Sequence, residues 1–184
     1  TGITHNRALV IEVFGRYSGH TALRGGLGAD ADCILIPEIE VDYDVVYEHF
    51  KKTYIERLKA SDVKGSTYII VAAEGLKNKD GKLFTDDTTT DSFGHQRLTG
   101  VGQYIRRQLE AKMKDDADWD EVLADEGIFV EGLYTRPEIR EVQLGHLVRT
   151  GYTSAYDVTF GKKGGAAAAF LMMNGIFGVT VVGI

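Results

Sequence analysis

Cysteine and proline are scarce in this sequence of 184 residues, which contains one cysteine and two prolines. A single cysteine cannot form an internal disulfide framework. Cys33 stands in an apolar run, so we expect it to be a buried structural thiol. The lack of disulfide pairs fits a reducing compartment, and we expect the protein to be cytoplasmic.

Long apolar runs and an excess of positive charge are also missing. No stretch reaches the roughly 18 consecutive apolar residues of a membrane span. The formal net charge is -6, whereas a nucleic-acid-binding domain normally carries a basic patch or stripe. We therefore predict neither a membrane partner nor a nucleic-acid partner. The 43% of hydrophobic and 26% of charged residues are typical of a globular domain.

Short apolar runs alternate with longer helical patterns along the chain. The runs that predict strands cover residues 8–14, 33–36, 68–73, 140–144 and 179–184. Helical spacing of apolar residues covers residues 19–27, 43–60, 98–113 and 154–173. The last of these helices opens on a capping box at Ser154. Residues 77–92 are polar and predict a loop, and residues 115–120 are acidic and predict a solvated segment.

Strands that are apolar throughout and are separated by helices predict the α/β class, with a mostly parallel sheet and helices on both faces. We expect a single domain over residues 1–184. The chain begins without an initiator Met close to a strand pattern, and it stops within another. We therefore expect a fragment of a longer polypeptide.

Polar groups follow three of the predicted strands at the carboxyl ends, where parallel sheets bind their ligands. Arg16 follows the first strand after Gly15, Glu74 follows the third, and His146 follows the fourth, with Arg149 just beyond. Guanidinium and imidazole groups match phosphate oxygens, and a carboxylate accepts hydrogen bonds from sugar hydroxyls. Glycine beside each group would let a ligand approach the backbone. These residues predict a site for an anionic metabolite.

Three segments carry motifs that belong together in this order. Residues 7–19 form a strand that ends in Phe-Gly-Arg before a glycine turn, and residues 69–75 form a strand with a terminal Glu-Gly. Residues 140–151 contain Leu-Gly-His-Leu-Val-Arg-Thr-Gly. In addition to these three segments, residues 91–102 contain Asp-Ser-Phe-Gly-His and Gly-Val-Gly. Over almost its whole length the chain resembles the 6-phosphofructokinase family, whose members use ATP or pyrophosphate. The resemblance implies the sugar-phosphate-binding half of that fold.

The resemblance implies a role for each matching position. Arg16 would help to neutralise the phosphoryl group in flight, which makes it the catalytic candidate. Phe14, in place of the family's methionine, and Gly15 would line the fructose 6-phosphate site, and Glu74 would bind sugar hydroxyls. The full set of substrate-binding candidates is Arg7, Phe14, Gly15, Arg16, Glu74, Arg140, His146 and Arg149.

Four of these candidates would contact the sugar phosphate, according to the same resemblance. His146 and Arg149 match the family's Leu-Gly-His-x-x-Arg signature and would bind the phosphate within the subunit. Arg7 and Arg140 match arginines that family members donate to the sugar phosphate of a neighbouring subunit. We therefore expect a homo-oligomer with shared active sites.

The family transfers a phosphoryl group, with Mg2+, from ATP or pyrophosphate to the 1-hydroxyl of fructose 6-phosphate, which gives fructose 1,6-bisphosphate in glycolysis. Such transfer depends on positioning and fixed positive charge. This sequence has no Gly-Gly-Asp donor loop and no Thr-Ile-Asp segment. We therefore expect the donor and Mg2+ to bind mainly to a missing N-terminal half. No cofactor-binding or metal-binding residue is assigned here, and we expect the fragment alone to be inactive.

Three alternatives remain open at this point. The protein could be a pyrophosphate-dependent fructose 6-phosphate phosphotransferase, or a non-catalytic regulatory subunit that keeps the sugar-phosphate site. It could also be an unrelated α/β carrier whose motifs match by chance.

Overall fold

The computed structural model describes residues 2–77, 80–90, 96–98 and 100–182, and within these ranges no side chain is described for residues 85–90, 96–97 and 146. The chain divides into two compact units, Thr1–Gly145 and His146–Ile184. The described strands are β1 (Arg7–Val13), β2 (Cys33–Leu35), β3 (Tyr68–Ala73), β4 (Thr85–Thr90), β5 (Gln96–Leu98) and β6 (Glu138–Gln143). The described α-helices are α1 (His20–Gly28), α2 (Tyr43–Ala60), α3 (Val101–Lys114), α4 (Asp118–Asp125) and α5 (Ala155–Met173).

The main sheet of the first unit has four parallel strands in the order β2-β3-β1-β6. Val13 at the end of β1 pairs in register with Ala73 at the end of β3. On the other side of β1, Glu12 pairs with Gln143 at the end of β6. The carboxyl ends of three adjacent strands therefore meet at one edge of the sheet, where the predicted site residues follow.

Both faces of this sheet are covered by helices. On one face, side chains of α2 and α3 pack against Ala8 and Val10 of β1 and against Ile70 of β3. On the other face, Ala22 of α1 packs against residues at the ends of β1 and β3. Strands with helices on both sides need apolar side chains in both directions, which explains their continuous apolar runs. The predicted α/β class is confirmed.

Helix α2 has the bounds that its spacing predicts. Asp42 is its N-cap, and one carboxylate oxygen accepts hydrogen bonds from the N–H groups of Asp44, at 2.9 Å, and Val45, at 3.3 Å. The apolar residues spaced four apart form its buried face: Val46, Phe50, Tyr54 and Leu58. Burial of this face against the sheet, rather than helix propensity alone, stabilises the helix.

Cys33 lies in β2 and is partly buried, rather than fully buried as expected. Burial raises the pKa of its thiol to about 11. The thiol is therefore protonated at neutral pH, as a structural cysteine should be.

A 3-10 helix (Gly145–Arg149) begins at the last residue of the first unit and continues into the second unit, which also contains helix α5. The predicted capping box is present. The Ser154 hydroxyl oxygen accepts a hydrogen bond from the Asp157 N–H, and the Asp157 carboxylate accepts one from the Ser154 N–H at 3.0 Å. No residue of α5 is buried. Within the described ranges, no helix combines the length and apolarity that crossing a bilayer requires.

The predicted loop over residues 77–92 is wrong in its second half. Strand β4 lies there and pairs antiparallel with β5, which forms a second, two-stranded sheet. Four threonines stand in β4, and their branched side chains favour extended backbone. The polar composition of this segment predicted a loop, although its threonines favour a strand.

The acidic segment 115–120 is not simply a solvated loop. Helix α4 begins at Asp118, and Trp119 and Leu123, spaced four apart, are fully buried. The Trp119 Nε1–H donates to the Tyr47 hydroxyl at 2.9 Å. Two buried apolar side chains therefore hold a helix whose other residues are largely acidic.

The last predicted strand, over residues 179–184, is also wrong where the structure describes it. Residues 179–182 form neither strand nor helix, and residues 183–184 lie outside the described residues. A strand needs a partner for its backbone N–H and C=O groups, and local apolar composition does not supply one.

Candidate functional site

The segment from Phe14 to Gly19, here called the arginine loop, leaves β1 at the carboxyl edge of the sheet. Its Phe14, Gly15 and Arg16 are partly buried. Because β1 lies between β3 and β6, the loop starts at the centre of the three aligned strand ends. This is the crevice position at which α/β sheets bind ligands.

Close packing, rather than space for a ligand, explains the glycines around Arg16. A Cβ atom at Gly15 would lie 2.5 Å from the Ser18 carbonyl oxygen, because the loop folds back on itself. A Cβ atom at Gly75 would lie 1.9 Å from the Arg16 carbonyl oxygen. Both positions require glycine, so the backbone of Arg16 is held directly against the end of β3.

Glu74 and Gly75 follow β3 and form one hydrogen bond with the end of β1 and two with the arginine loop. The Glu74 N–H donates to the Val13 carbonyl at 2.9 Å, and the Gly75 N–H donates to the Gly15 carbonyl at 2.9 Å. A carboxylate oxygen of Glu74 accepts a weaker bond from the Gly15 N–H at 3.4 Å. The structure therefore brings the Arg16 and Glu74 segments together at one edge of the sheet.

The far end of the arginine loop is held by Glu38, which sequence reasoning missed. The Gly19 N–H donates to both carboxylate oxygens of Glu38, at 2.8 and 3.0 Å. That hydrogen bond holds the pKa of the Glu38 carboxyl below its usual value. A Cβ atom at Gly19 would lie 2.2 Å from the Cβ atom of Ile36, so the loop also packs tightly on the end of β2. The sequence feature that could have identified Glu38 was a carboxylate just beyond a predicted strand.

Glu12 is a second carboxylate that sequence reasoning missed. It lies in β1 with 4% of its surface exposed, and it accepts hydrogen bonds from the Gly102 N–H, at 2.8 Å, and the Gln143 side-chain amide, at 3.0 Å. Burial raises the pKa of the Glu12 carboxyl, and the two hydrogen bonds oppose that rise. Its backbone carbonyl accepts from the Leu144 N–H at 3.3 Å. Glu12 therefore joins α3 and the end of β6 to β1. The sequence feature that could have identified Glu12 was a single acidic residue within an apolar strand.

The signature that follows β6 lies at the boundary of the two units. Gly145 has a φ of +51°, a conformation that favours glycine. His146 and Arg149 stand in the 3-10 helix that begins there, and they are described with the second unit. The His146 side chain lies outside the described part. The placement of these two residues beside Arg16 stays a prediction, and the 91–95 stretch lies outside the described residues.

The structure does not bring Arg7 and Arg140 to the arginine loop of their own chain. Arg7 begins β1 and lies six residues before Val13, a distance of about 20 Å along a strand. Its Nε–H pairs with Glu138, and Arg140 Nη2 pairs with the other oxygen of the same carboxylate at 2.5 Å. Burial opposes ionisation of Glu138, but the two guanidinium groups hold its pKa below the usual value.

The edge that holds Arg16 and Glu74 has the chemistry for a phosphorylated sugar. A guanidinium group on a closely packed loop can bind phosphate oxygens, and a carboxylate can accept hydroxyl hydrogen bonds. Among the described residues, no group of three or more His, Cys, Asp or Glu side chains could hold a metal ion. We therefore assign no described residue to Mg2+.

Comparison with curated proteins gives relatives over nearly the whole chain. The chain is 34% identical over 181 residues to a pyrophosphate–fructose 6-phosphate 1-phosphotransferase of Streptomyces coelicolor, covering 98% of the chain and 44% of the relative. It is 33% identical to the ATP-dependent 6-phosphofructokinase 2 of Clostridium perfringens, covering 97% of the chain and 41% of the relative. The chain thus spans less than half the length of these relatives.

Solved structures show the same fold at lower identity. Phosphofructokinase from Saccharomyces cerevisiae matches 94% of the chain with a TM-score of 0.56 at 21% identity, covering 18% of that structure. The T-state structure of Pichia pastoris phosphofructokinase matches 92% of the chain with a TM-score of 0.52 at 22% identity, covering 15% of that structure.

A family model rather than a single relative decides the assignment. The model described as Phosphofructokinase matches residues 1–172, which include all of the predicted site residues. A match of this extent excludes an unrelated α/β carrier with chance motifs. The three motifs, the parallel sheet with its arginine loop and the family match all agree, and this chain belongs to the phosphofructokinase family.

Proposed function

We propose that this chain supplies the fructose 6-phosphate site of a phosphofructokinase that phosphorylates the sugar's 1-hydroxyl in glycolysis. The observation that carries this proposal is the contact between the arginine loop and the Glu74 segment at the carboxyl edge of the sheet. Family membership supports the choice of sugar phosphate, since the relatives' names include that substrate.

The residues of this edge have complementary roles in the proposal. Arg16 neutralises negative charge on the transferred phosphoryl group, which bears charge on its equatorial oxygens as it moves. Glu74 accepts hydrogen bonds from sugar hydroxyls and so orients the ring. Phe14 and Gly15 line the site. His146 and Arg149 bind the sugar phosphate, which the signature motif supports.

Arg7 and Arg140 serve a neighbouring subunit in the proposed homo-oligomer. Their position near the opposite end of β1, away from their own arginine loop, supports a role outside the site of the same chain. Each guanidinium uses one nitrogen in its ion pair with Glu138. The remaining donors can face a phosphate group of another subunit.

The phosphoryl donor is ATP or pyrophosphate, and the relatives include both kinds at nearly equal identity. We propose that the donor and Mg2+ are bound mainly by an N-terminal half of the full protein, outside the 41–44% of the relatives' length that this chain spans. A cytoplasmic location follows from the glycolytic role. When bound, Mg2+ would neutralise charge on the donor's phosphates.

Isothermal titration of the chain with fructose 6-phosphate and with plain fructose tests the proposal. We expect binding of the phosphorylated sugar and none of fructose, because the arginine side chains require the phosphate. Arg16→Ala should weaken binding by roughly 1.5–3 kcal/mol, about 10- to 150-fold, through loss of a charge-assisted contact.

The matched control is Arg24→Ala, which removes an exposed arginine of α1 outside the arginine loop. Its affinity for fructose 6-phosphate should equal that of the unchanged chain. Equal affinity for the two sugars, or equal effects of the two substitutions, would refute the proposed site.

A further inference from the structure

The arginine loop is fixed at both ends by residues that follow neighbouring strands. At its start, Gly15 is bonded to the Glu74-Gly75 segment after β3. At its end, the Gly19 N–H is bonded to both carboxylate oxygens of Glu38 after β2. We infer that Glu38 is a positioning residue for Arg16, an inference that rests on the proposed function. It acts through the loop and does not contact the sugar phosphate.

The origin of this carboxylate distinguishes it from an ordinary helix cap. A helix is usually capped by the side chain of its own N-cap residue, as Asp42 caps α2. The N-cap of α1 is Gly19, which has no side chain, and the capping group comes from a residue 19 positions further along the chain. The interaction therefore ties the loop after β1 to the end of β2.

No residue at position 19 could replace this arrangement. A side chain there would begin 2.2 Å from the Cβ atom of Ile36, so the N-cap must be glycine and the cap must come from elsewhere. Glu38 also places a negative charge beside the N–H group of the N-cap residue, at the positive end of the α1 dipole.

The test compares Glu38→Ala with Asp42→Ala in the 184-residue chain. Each substitution removes an exposed carboxylate that caps one helix, so both should lower stability by similar amounts. We expect Glu38→Ala alone to weaken fructose 6-phosphate binding, by about tenfold, since a loosened loop loses part of the charge-assisted Arg16 contact. Glu38→Gln keeps an oxygen for the Gly19 N–H and should restore most of the affinity.

Equal losses of affinity in Glu38→Ala and Asp42→Ala would overturn the inference, as would a failure of Glu38→Gln to restore binding. Hydrogen–deuterium exchange without ligand provides an independent second readout. Faster exchange over residues 15–19 in Glu38→Ala but not in Asp42→Ala supports the inference, and unchanged exchange overturns it. If the unchanged chain does not bind the sugar phosphate, the proposed function fails, and exchange still decides whether Glu38 holds the loop.

Discussion

Glu12 shows the cost and the use of a buried charge at the scale of one residue. Its carboxylate is almost fully buried, yet it has two hydrogen-bond donors, the Gly102 backbone and the Gln143 side chain. Burial disfavours the ionised form, and the hydrogen bonds favour it. Such opposed effects are common near functional sites, where geometry takes precedence over stability.

Glu12→Gln tests this balance. Because the folded-state pKa lies above the ordinary value of 4.5, the contribution of Glu12 to stability is complete below that pH and is lost as the pH rises through the folded pKa. The neutral amide should therefore raise the free energy of unfolding at pH 8 relative to Glu12, with little difference at pH 4.

The hydrogen-bond geometry around Glu12 permits its substitution by glutamine. The new amide oxygen can accept from the Gly102 N–H, while the Gln143 amide turns so that its oxygen accepts from the new NH2 group. Urea unfolding at the two pH values measures the effect. A larger loss of stability at pH 8 than at pH 4 would contradict this account of Glu12.

At the scale of elements, the contact between the arginine loop and the end of β3 depends on two glycines that have no room for a side chain. Gly75→Ala places a methyl group 1.9 Å from the Arg16 carbonyl oxygen, so backbone must shift. We expect a loss of about 1–3 kcal/mol in the free energy of unfolding, as in other overpacked sites.

Gly25→Ala is the matched control, because Gly25 lies within α1 and a Cβ atom there meets nothing within 4 Å. It should stabilise the chain by roughly 0.5–1 kcal/mol through helix propensity. Denaturant unfolding measures both values. A harmless Gly75→Ala would show that Arg16 is not held against β3.

The sequence predicted those elements that local pattern determines. Helix α2 and strand β3 have the predicted bounds, since their apolar residues alone define the buried face or the buried run. Strand β4 and helix α4 were missed, because β4 is polar and α4 buries only Trp119 and Leu123 among largely acidic residues. Local composition does not show which partner will bury a residue or pair a strand.

The residues of the candidate site also divide into those that the sequence could predict and those that it could not. The positions of Arg16 and Glu74 at the carboxyl edge of the sheet could be predicted, because each stands within three residues of the end of an apolar strand. Glu38 and Glu12 could not, because their roles depend on bonds to Gly19 and Gly102, which are distant in sequence. Motifs predict which groups would face a ligand, whereas tertiary contacts show which residues hold the segments that carry those groups.

At the scale of the whole molecule, the chain spans 41–44% of the length of its first relatives. We propose that phosphoryl transfer needs groups beyond this span. Purified chain supplied with fructose 6-phosphate, Mg2+ and either ATP or pyrophosphate should form no fructose 1,6-bisphosphate. Product detection with either donor would contradict the proposal that the donor binds elsewhere.

Amide chemical-shift mapping of the labelled chain during titration with fructose 6-phosphate tests whether the carboxyl edge of the sheet binds the sugar phosphate. We expect the largest shifts among first-unit residues to fall on Gly15, Arg16, Glu74 and Gly75 at the carboxyl edge of the sheet. Plain fructose should cause none of them. Largest shifts instead around Arg136 and Pro137, which line a separate surface cavity, would contradict it.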